Sequence, residues 1–239
     1  HVMRLASFHT AAQGASYGAV TAKGIVDLRR FLGNQYPDLK SLIEGNAVDQ
    51  AKKYLSEAAD YKPSDITWLP VIPNPDKIVC VGLNYQDHVV ETGRDNTEQP
   101  AIFLRLPESQ VGHKQPIIRP RESKNLDFEA EIAVIIGKPG RRIAQKDAWQ
   151  HIAGYSCYND GSVRDWQRHT IQWTAGKNFA RTGGFGPRRD LVHRGALFDV
   201  VAHDILRSSA RVKALSVMHE WLEGRRIASM PFLVASAAR

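Results

Sequence analysis

The segment Leu126–Gly137, LDFEAEIAVIIG, constrains this chain more than any other. Its apolar density and β-branched content predict a strand, and in a strand the side chains at i, i+2 and i+4 share a face. Leu126, Phe128, Ala130, Ile132, Val134 and Ile136 then make one continuous apolar face. Asp127, Glu129 and Glu131 open the other face, which runs on through Ala133 and Ile135. Such a strand needs a core to cover it. It must also accommodate three neighbouring carboxylates, and half-burying them costs several kcal/mol per ion unless something compensates. A divalent cation with hard oxygen ligands is one compensation. The other reading is a solvated outer face on an edge strand, where acids discourage aggregation.

A second acid favours the cation. Ile152–Asp160, IAGYSCYND, is another apolar strand that ends on Asn159-Asp160, where pattern gives way to turn. Two glutamates from one strand and an aspartate from a neighbouring strand end offer three oxygen donors, with room left for water and substrate. That is a magnesium-like arrangement.

The rest of the chain reads as short strands with occasional helices. Ser16–Val20 and Gly24–Leu28 suggest strands joined by glycine turns, and Asp49–Ala59 reads as a helix behind its leading Asp. Pro63, Pro70, Pro73 and Pro75 punctuate the next stretch and exclude a helix or a central strand there. We place a domain boundary at residue 72, giving a small domain over 1–72 and a larger one over 73–239. Lys77–Gly82 and Ala101–Leu104 read as strands, Asn84–Glu91 as a short helix or turn, Lys146–His151 as a short helix and Ser162–His169 as helical. The pattern is not regular βαβ, so the expected class is α+β, predominantly β.

Composition removes several alternatives. Of 239 residues 43% are hydrophobic and 24% charged, which is ordinary globular usage and excludes disorder, collagen and coiled-coil rods. The net charge of +7 hints at an anionic partner, but residues 181–239 hold ten of the 32 basic residues and only five of the 25 acidic ones. The few aromatic residues there, Phe185, Phe198, Trp221 and Phe232, do not alternate regularly with the arginines as in a nucleic-acid groove. The expected partner is a small molecule, with neither nucleic acid nor membrane. Cys80 and Cys157 sit in apolar stretches without metal-ligand spacing, so they read as two buried thiols in a reducing compartment. His1-Val2 reads as an addition before a native Met3, without the apolar core of a signal peptide. The expected location is cytoplasmic.

Further chemistry is scattered along the chain. His88 and Glu91 stand at i, i+3, so one helical turn would put them side by side, as a general base and its orienting carboxylate or as an ordinary surface pair. Lys177 follows Gly176 in TAGKNF and by itself says little. Arg164, Asp165 and Gln167 would face the end of the Asp160 strand if a helix begins at Ser162; Arg164–Asp165 could equally be a structural ion pair.

In order and spacing, these segments resemble the fumarylacetoacetate hydrolase family. The resemblance is carried by VGLNYQDHVVE (81–91), PAIFLRLPESQVG (100–112), SKNLDFEAEIAVIIGKPGRRI (123–143), HIAGYSCYNDGSVRDWQ (151–167) and QWTAGKNFARTGGFGP (172–187). It implies a mixed β-roll or sandwich catalytic domain behind a small N-terminal α+β domain, assembled as a homodimer around a Mg²⁺, Mn²⁺ or Ca²⁺ site. The family's metal ligands fall on Glu129, Glu131 and Asp160, the acids already singled out. Its His/Glu pair falls on His88 and Glu91, its active-site lysine on Lys177 and its substrate-contacting glutamine on Gln167, with Arg164 beside it. The implied activity is cation-dependent hydrolysis of a C–C bond in a 2,4-dioxo acid, of the acylpyruvate or fumarylacetoacetate kind, in aromatic-compound catabolism. An isomerase or decarboxylase of a hydroxy-diene dioate, or an inactive member, are the alternatives.

Two departures stand out. The turn after Asp160 is Gly161-Ser162-Val163-Arg164-Asp165 where the family usually has Val-Ser-Ala-Arg-Asp. Residues 188–239 diverge and contain no Thr-Gly-Thr-Pro-type loop, so they read as a divergent replacement or as the product of a shifted reading frame.

Overall fold

The structure, a computed structural model, describes residues 3–82 and 101–186 together with the backbone of Phe232–Ser236. The N-terminal segment forms a four-stranded antiparallel sheet from β1 (Leu5–Thr10), β2 (Gly14–Thr21), β3 (Gly24–Asp27) and β4 (Thr67–Trp68), in the order β3-β2-β1-β4. The expected strands over Ser16–Val20 and Gly24–Leu28 lie within or across β2 and β3. Gly24 has φ +137°, and a Cβ there would lie 2.6 Å from the Tyr61 carbonyl oxygen, so the turn into β3 requires glycine.

Two short helices, Arg29–Leu32 and Leu39–Glu44, follow β3. The second starts on a capping box: Asp38 Oδ1 accepts from the Ser41 N–H at 2.7 Å, and Ser41 Oγ accepts from the Asp38 N–H at 3.1 Å. Asn74 donates to the other Asp38 oxygen at 2.8 Å. Burial alone would raise the Asp38 carboxyl, but the Ser41 and Asn74 hydrogen bonds outweigh it and hold it below its ordinary 3.8. A carboxylate depressed by folding stabilises above its unfolded pKa, and that contribution is lost as pH falls through the folded value. Asp38→Ala is therefore expected to cost about 1 kcal/mol at neutral pH. In urea titrations the difference from the parent should shrink as pH falls below about 3.8.

The expected helix over Asp49–Ala59 is shorter and tighter, a 3₁₀ segment over Val48–Tyr54. Tertiary contacts set its length: Ala51 is buried, and Tyr54 stacks on Phe31 with ring centroids 4.3 Å apart.

The second part of the chain builds a seven-stranded mixed sheet. Its strands are β5 (Ile78–Gly82), β6 (Ala101–Arg105), β7 (Gln110–Gly112), β9 (Ala130–Ile136), β10 (Ile152–Asp160), β12 (Gly183–Gly186) and β13 (Phe232–Ser236). Their order is β6-β5-β13-β9-β10-β12-β7; the β13–β5 and β12–β7 pairs are parallel and the others antiparallel. The sheet is open rather than a closed barrel. Its central strands are apolar on both faces, as strands covered on both sides must be. Along β9, Ala133 and Ile135 join one core cluster while Val134, Ile132 and Ile136 join another. The first cluster also takes in Leu5, Tyr17, Leu39 and Leu42, so one core passes continuously across residue 72. No strand before Trp68 pairs with one after Ile78 among the described residues, and on that ground we keep the 1–72 and 73–239 division as a proposal.

Four local expectations are corrected. Leu126–Gly137 is not one strand: β8 (Leu126–Asp127) pairs with β11 (Ser162–Val163) in a separate ribbon, and the chain re-enters a sheet only at Ala130. The apolar face is interrupted there too, since Phe128 is 58% exposed. Ser162–His169 begins as strand β11 and is helical only over Arg164–Gln167, because β8 captures Ser162 and Val163. The short helix expected over Lys146–His151 is a 3₁₀ segment, Gln145–His151. Of the two thiols, Cys80 is buried but Cys157 is exposed, since successive residues of β10 alternate in burial. Burial, and then the charge of Asp160, pushes the Cys80 thiol well above its ordinary range. Asn84–Glu91 lies outside the described residues.

The divergent tail supplies β13, which lies between β5 and β9. Val234 is in register with Cys80 on one side and Ala133 on the other.

Candidate metal centre

Glu129 stands in the break between β8 and β9, not within a strand. Its N–H donates to Asn159 Oδ1 at 3.0 Å and its carbonyl accepts from the Asp160 N–H at 2.8 Å. These two bonds tie the break to the end of β10. Glu131, one residue into β9, is in register with Tyr158, two residues before Asp160. The three carboxylates therefore converge, each offering an oxygen within 4.8 Å of the others. Asp127 is not among them: its side chain is 54% exposed and pairs outward with Arg164 at 2.7 Å. Hence the expected row of three acids is split by depth, with Asp127 solvated, Glu129 half-buried, and Glu131 and Asp160 buried.

Two unit charges 4.8 Å apart repel by about 3.5 kcal/mol at an effective dielectric of 20, so the cluster needs cations. The described residues provide three. Lys177 Nζ, almost wholly buried, lies 2.5 Å from Asp160 Oδ2 and 3.1 and 3.2 Å from the Glu129 oxygens. Arg105 Nη1 donates to Asp160 Oδ1 at 2.6 Å. Arg164 Nη1 lies 2.5 Å from Glu129 Oε1, which also accepts from Ser162 Oγ at 2.6 Å.

Lys177 is placed by a single helical turn, Thr174–Lys177, in which Gly176 lies against the backbone of Gln167. The Lys177 ammonium also sits 4.7 Å from the centroid of the Phe103 ring, which Trp173 contacts edge-on. Gln167 Oε1 accepts from Arg164 Nη1 at 3.0 Å, so the expected substrate-contacting pair is present as a hydrogen-bonded unit. With Arg168, Asn125 and Asp127, Arg164 lines a cavity of about 490 Å³.

Thus Glu129, Glu131, Asp160, Lys177, Arg164 and Gln167 are brought into one neighbourhood. His88 and Glu91 lie outside the described residues. Sequence reasoning missed Arg105. Burial alone would lower its guanidinium, but Tyr158 and Asp160 outweigh this and hold it above its ordinary range, so it is a permanent cation. The available signal was an arginine closing an apolar strand on the same face as Phe103; its partner stands 55 residues away.

Three hard carboxylate oxygens at this spacing fit a divalent cation such as Mg²⁺ or Mn²⁺, and among the described residues the group is made of carboxylates.

The comparisons with known proteins agree with this fold. The model of the fumarylacetoacetate hydrolase C-terminal domain matches residues 77–228, and the chain belongs to that family. Among curated relatives, the mitochondrial oxaloacetate tautomerase fahd2 of Xenopus laevis is 43% identical over 144 residues, covering 59% of this chain and 43% of that protein. The mitochondrial oxaloacetate tautomerase FAHD2A of Bos taurus is 36% identical over 193 residues, covering 77% of this chain and 62% of that protein. The chain thus spans between 43% and 62% of the length of these two relatives. The solved structure of a probable 2-hydroxyhepta-2,4-diene-1,7-dioate isomerase from Mycobacterium abscessus has a TM-score of 0.60 at 28% identity, covering 81% of this chain and 65% of that one. Fumarylacetoacetate hydrolase from Exiguobacterium antarcticum shares the fold, with a TM-score of 0.72 at 22% identity over 98% of this chain and 86% of that one.

The family match runs past Pro187 to residue 228, so it includes much of the tail in which sequence reading found no alignment. Among the described residues, no helix is long and apolar enough to cross a membrane.

Proposed function

We propose that this site enolises a 2-oxo dicarboxylic acid, interconverting keto and enol forms, with Glu129, Glu131 and Asp160 holding Mg²⁺ or Mn²⁺. The convergence of the three carboxylates supports the reading, together with 43% and 36% identity to proteins named as oxaloacetate tautomerases. A divalent cation held there supplies Lewis acidity toward a carboxylate and its neighbouring keto oxygen. Lys177, desolvated at the same carboxylates, is positioned to donate a hydrogen bond to negative charge developing on the substrate oxygen. Arg164, poised between Glu129 and a cavity, orients a carboxylate entering from that side. His88 backed by Glu91 is the proposed proton carrier. C–C bond hydrolysis of a 2,4-dioxo acid is the second reading, favoured by the shared fold with a fumarylacetoacetate hydrolase. Each reaction places negative charge on the 2-oxo oxygen, of the intact substrate in the first and of the released pyruvate unit in the second.

The test is an assay of purified protein with Mg²⁺ on oxaloacetate, followed by enol absorbance, and on an acylpyruvate, followed by pyruvate release. We expect accelerated keto–enol interconversion, abolished by chelation and lowered at least about a hundredfold by Glu131→Gln, as loss of a ligand would predict. Pyruvate release from the acylpyruvate without tautomerisation would replace the first reading by the second. Activity on neither substrate would reject both.

A further inference from the structure

We propose that Arg105 is a positioning residue, which fixes the Asp160 carboxylate so that Oδ2 is the oxygen presented to a cation. This rests on the metal-site reading above. Arg105 ends β6 with its side chain 0% exposed, and all three guanidinium nitrogens are engaged. Nε donates to Ser109 Oγ at 3.2 Å, Nη1 to Asp160 Oδ1 at 2.6 Å and to the Gly161 carbonyl at 3.1 Å, and Nη2 to Thr182 Oγ1 at 2.9 Å.

The acceptors are themselves held. Ser109 Oγ donates to the Leu106 carbonyl at 2.8 Å, and Thr182 Oγ1 donates to the Phe179 carbonyl at 2.7 Å. The planar fork is thus locked from three sides, and a Cβ on Gly183 would already lie 2.7 Å from Nη2. Lys177 differs in kind. Its ammonium is a compact charge on a flexible stem, bound to Asp160 only through Oδ2. One Asp160 oxygen is consequently committed to an immovable cation and the other to a movable one. A cation arriving at the cluster can displace the ammonium from Oδ2 but not the guanidinium from Oδ1.

Partners behind metal ligands typically alter metal affinity by ten- to a hundredfold. The experiment measures Mn²⁺ binding to the full chain by water-proton relaxation, alongside melting of the cation-free protein. Arg105→Lys retains the charge but cannot span Asp160, Gly161, Ser109 and Thr182 together. We expect Mn²⁺ binding about tenfold weaker or more in this variant. Thr182→Val and Ser109→Ala loosen the fork without removing charge, and they keep the test valid if Arg105→Lys does not fold. Each is expected to weaken Mn²⁺ binding by roughly two- to fivefold, a fraction of the full effect of losing such a partner. A merely structural arginine would lower melting temperature in these variants while leaving Mn²⁺ affinity within twofold of the parent, and that result overturns the proposal. Absence of saturable Mn²⁺ binding in the parent protein would instead overturn the metal-site reading and the role of Arg105 with it.

Discussion

Replacing Lys177 with methionine is expected to destabilise the cation-free protein and tighten its hold on divalent cations. The ammonium is the sole cation shared by Glu129 and Asp160 among the described residues. Removing one partner of a buried ion pair usually costs roughly 3–5 kcal/mol, because the other charge stays buried. Arg105 still engages Asp160, and Arg164 still engages Glu129, so the loss should fall near the lower end. Methionine approximates the lysine stem in volume, and a cavity contributes little. The same deletion removes a positive charge that a cation must displace. Mn²⁺ should therefore bind about tenfold more tightly or better, the equivalent of 1.4 kcal/mol, and saturating Mn²⁺ should restore most of the lost stability. Chemical denaturation with and without Mn²⁺ measures both quantities. A variant as stable as its parent, or one that binds Mn²⁺ no better, would show that the ammonium is not the cluster's counter-ion.

The second large effect is expected at Gly176. A Cβ there would lie 2.4 Å from the Gln167 backbone nitrogen and 2.6 Å from its Cα. These are main-chain atoms and cannot swing aside, so Gly176→Ala must push apart the Thr174–Lys177 turn and the Arg164–Gln167 turn. Overpacking of this kind costs typically about 1–3 kcal/mol. Both segments carry site residues, Lys177 on one and Arg164 with Gln167 on the other. Turnover should fall by more than stability accounts for, at least about tenfold, since displacement by an ångström can cost far more. Measuring kcat at a temperature where the variant is fully folded separates the two effects. Unchanged kcat would mean that the spacing of the two turns is not critical.

Much of this was legible from residue order. Glu129, Glu131 and Asp160 announce themselves because acids in apolar strands need a reason, and alternation put the two glutamates on one face. The same rule failed at Asp127 and Phe128, since it assumes an unbroken strand. The break exists because β11 competes for residues 126–127, a pairing with no local signature. Lys177 could be assigned only through family resemblance. In sequence a lysine after glycine is a turn residue, and its meaning comes from a contact 48 positions back at Glu129.

Local pattern determined the class of the protein: period-two alternation, proline punctuation and apolar strand lengths define a strand-dominated α+β chain, and acids set in apolar segments mark its chemistry. Tertiary structure decided which charges face each other. Arg105 meets Asp160, Lys177 bridges Asp160 and Glu129, and Arg164 turns outward to Asp127 while reaching Glu129. Tertiary structure also decided that a strand from the C-terminal segment, Phe232–Ser236, lies between β5 and β9. Propensity and periodicity act over a few residues, whereas charge pairing and sheet order depend on which distant segments the core brings together.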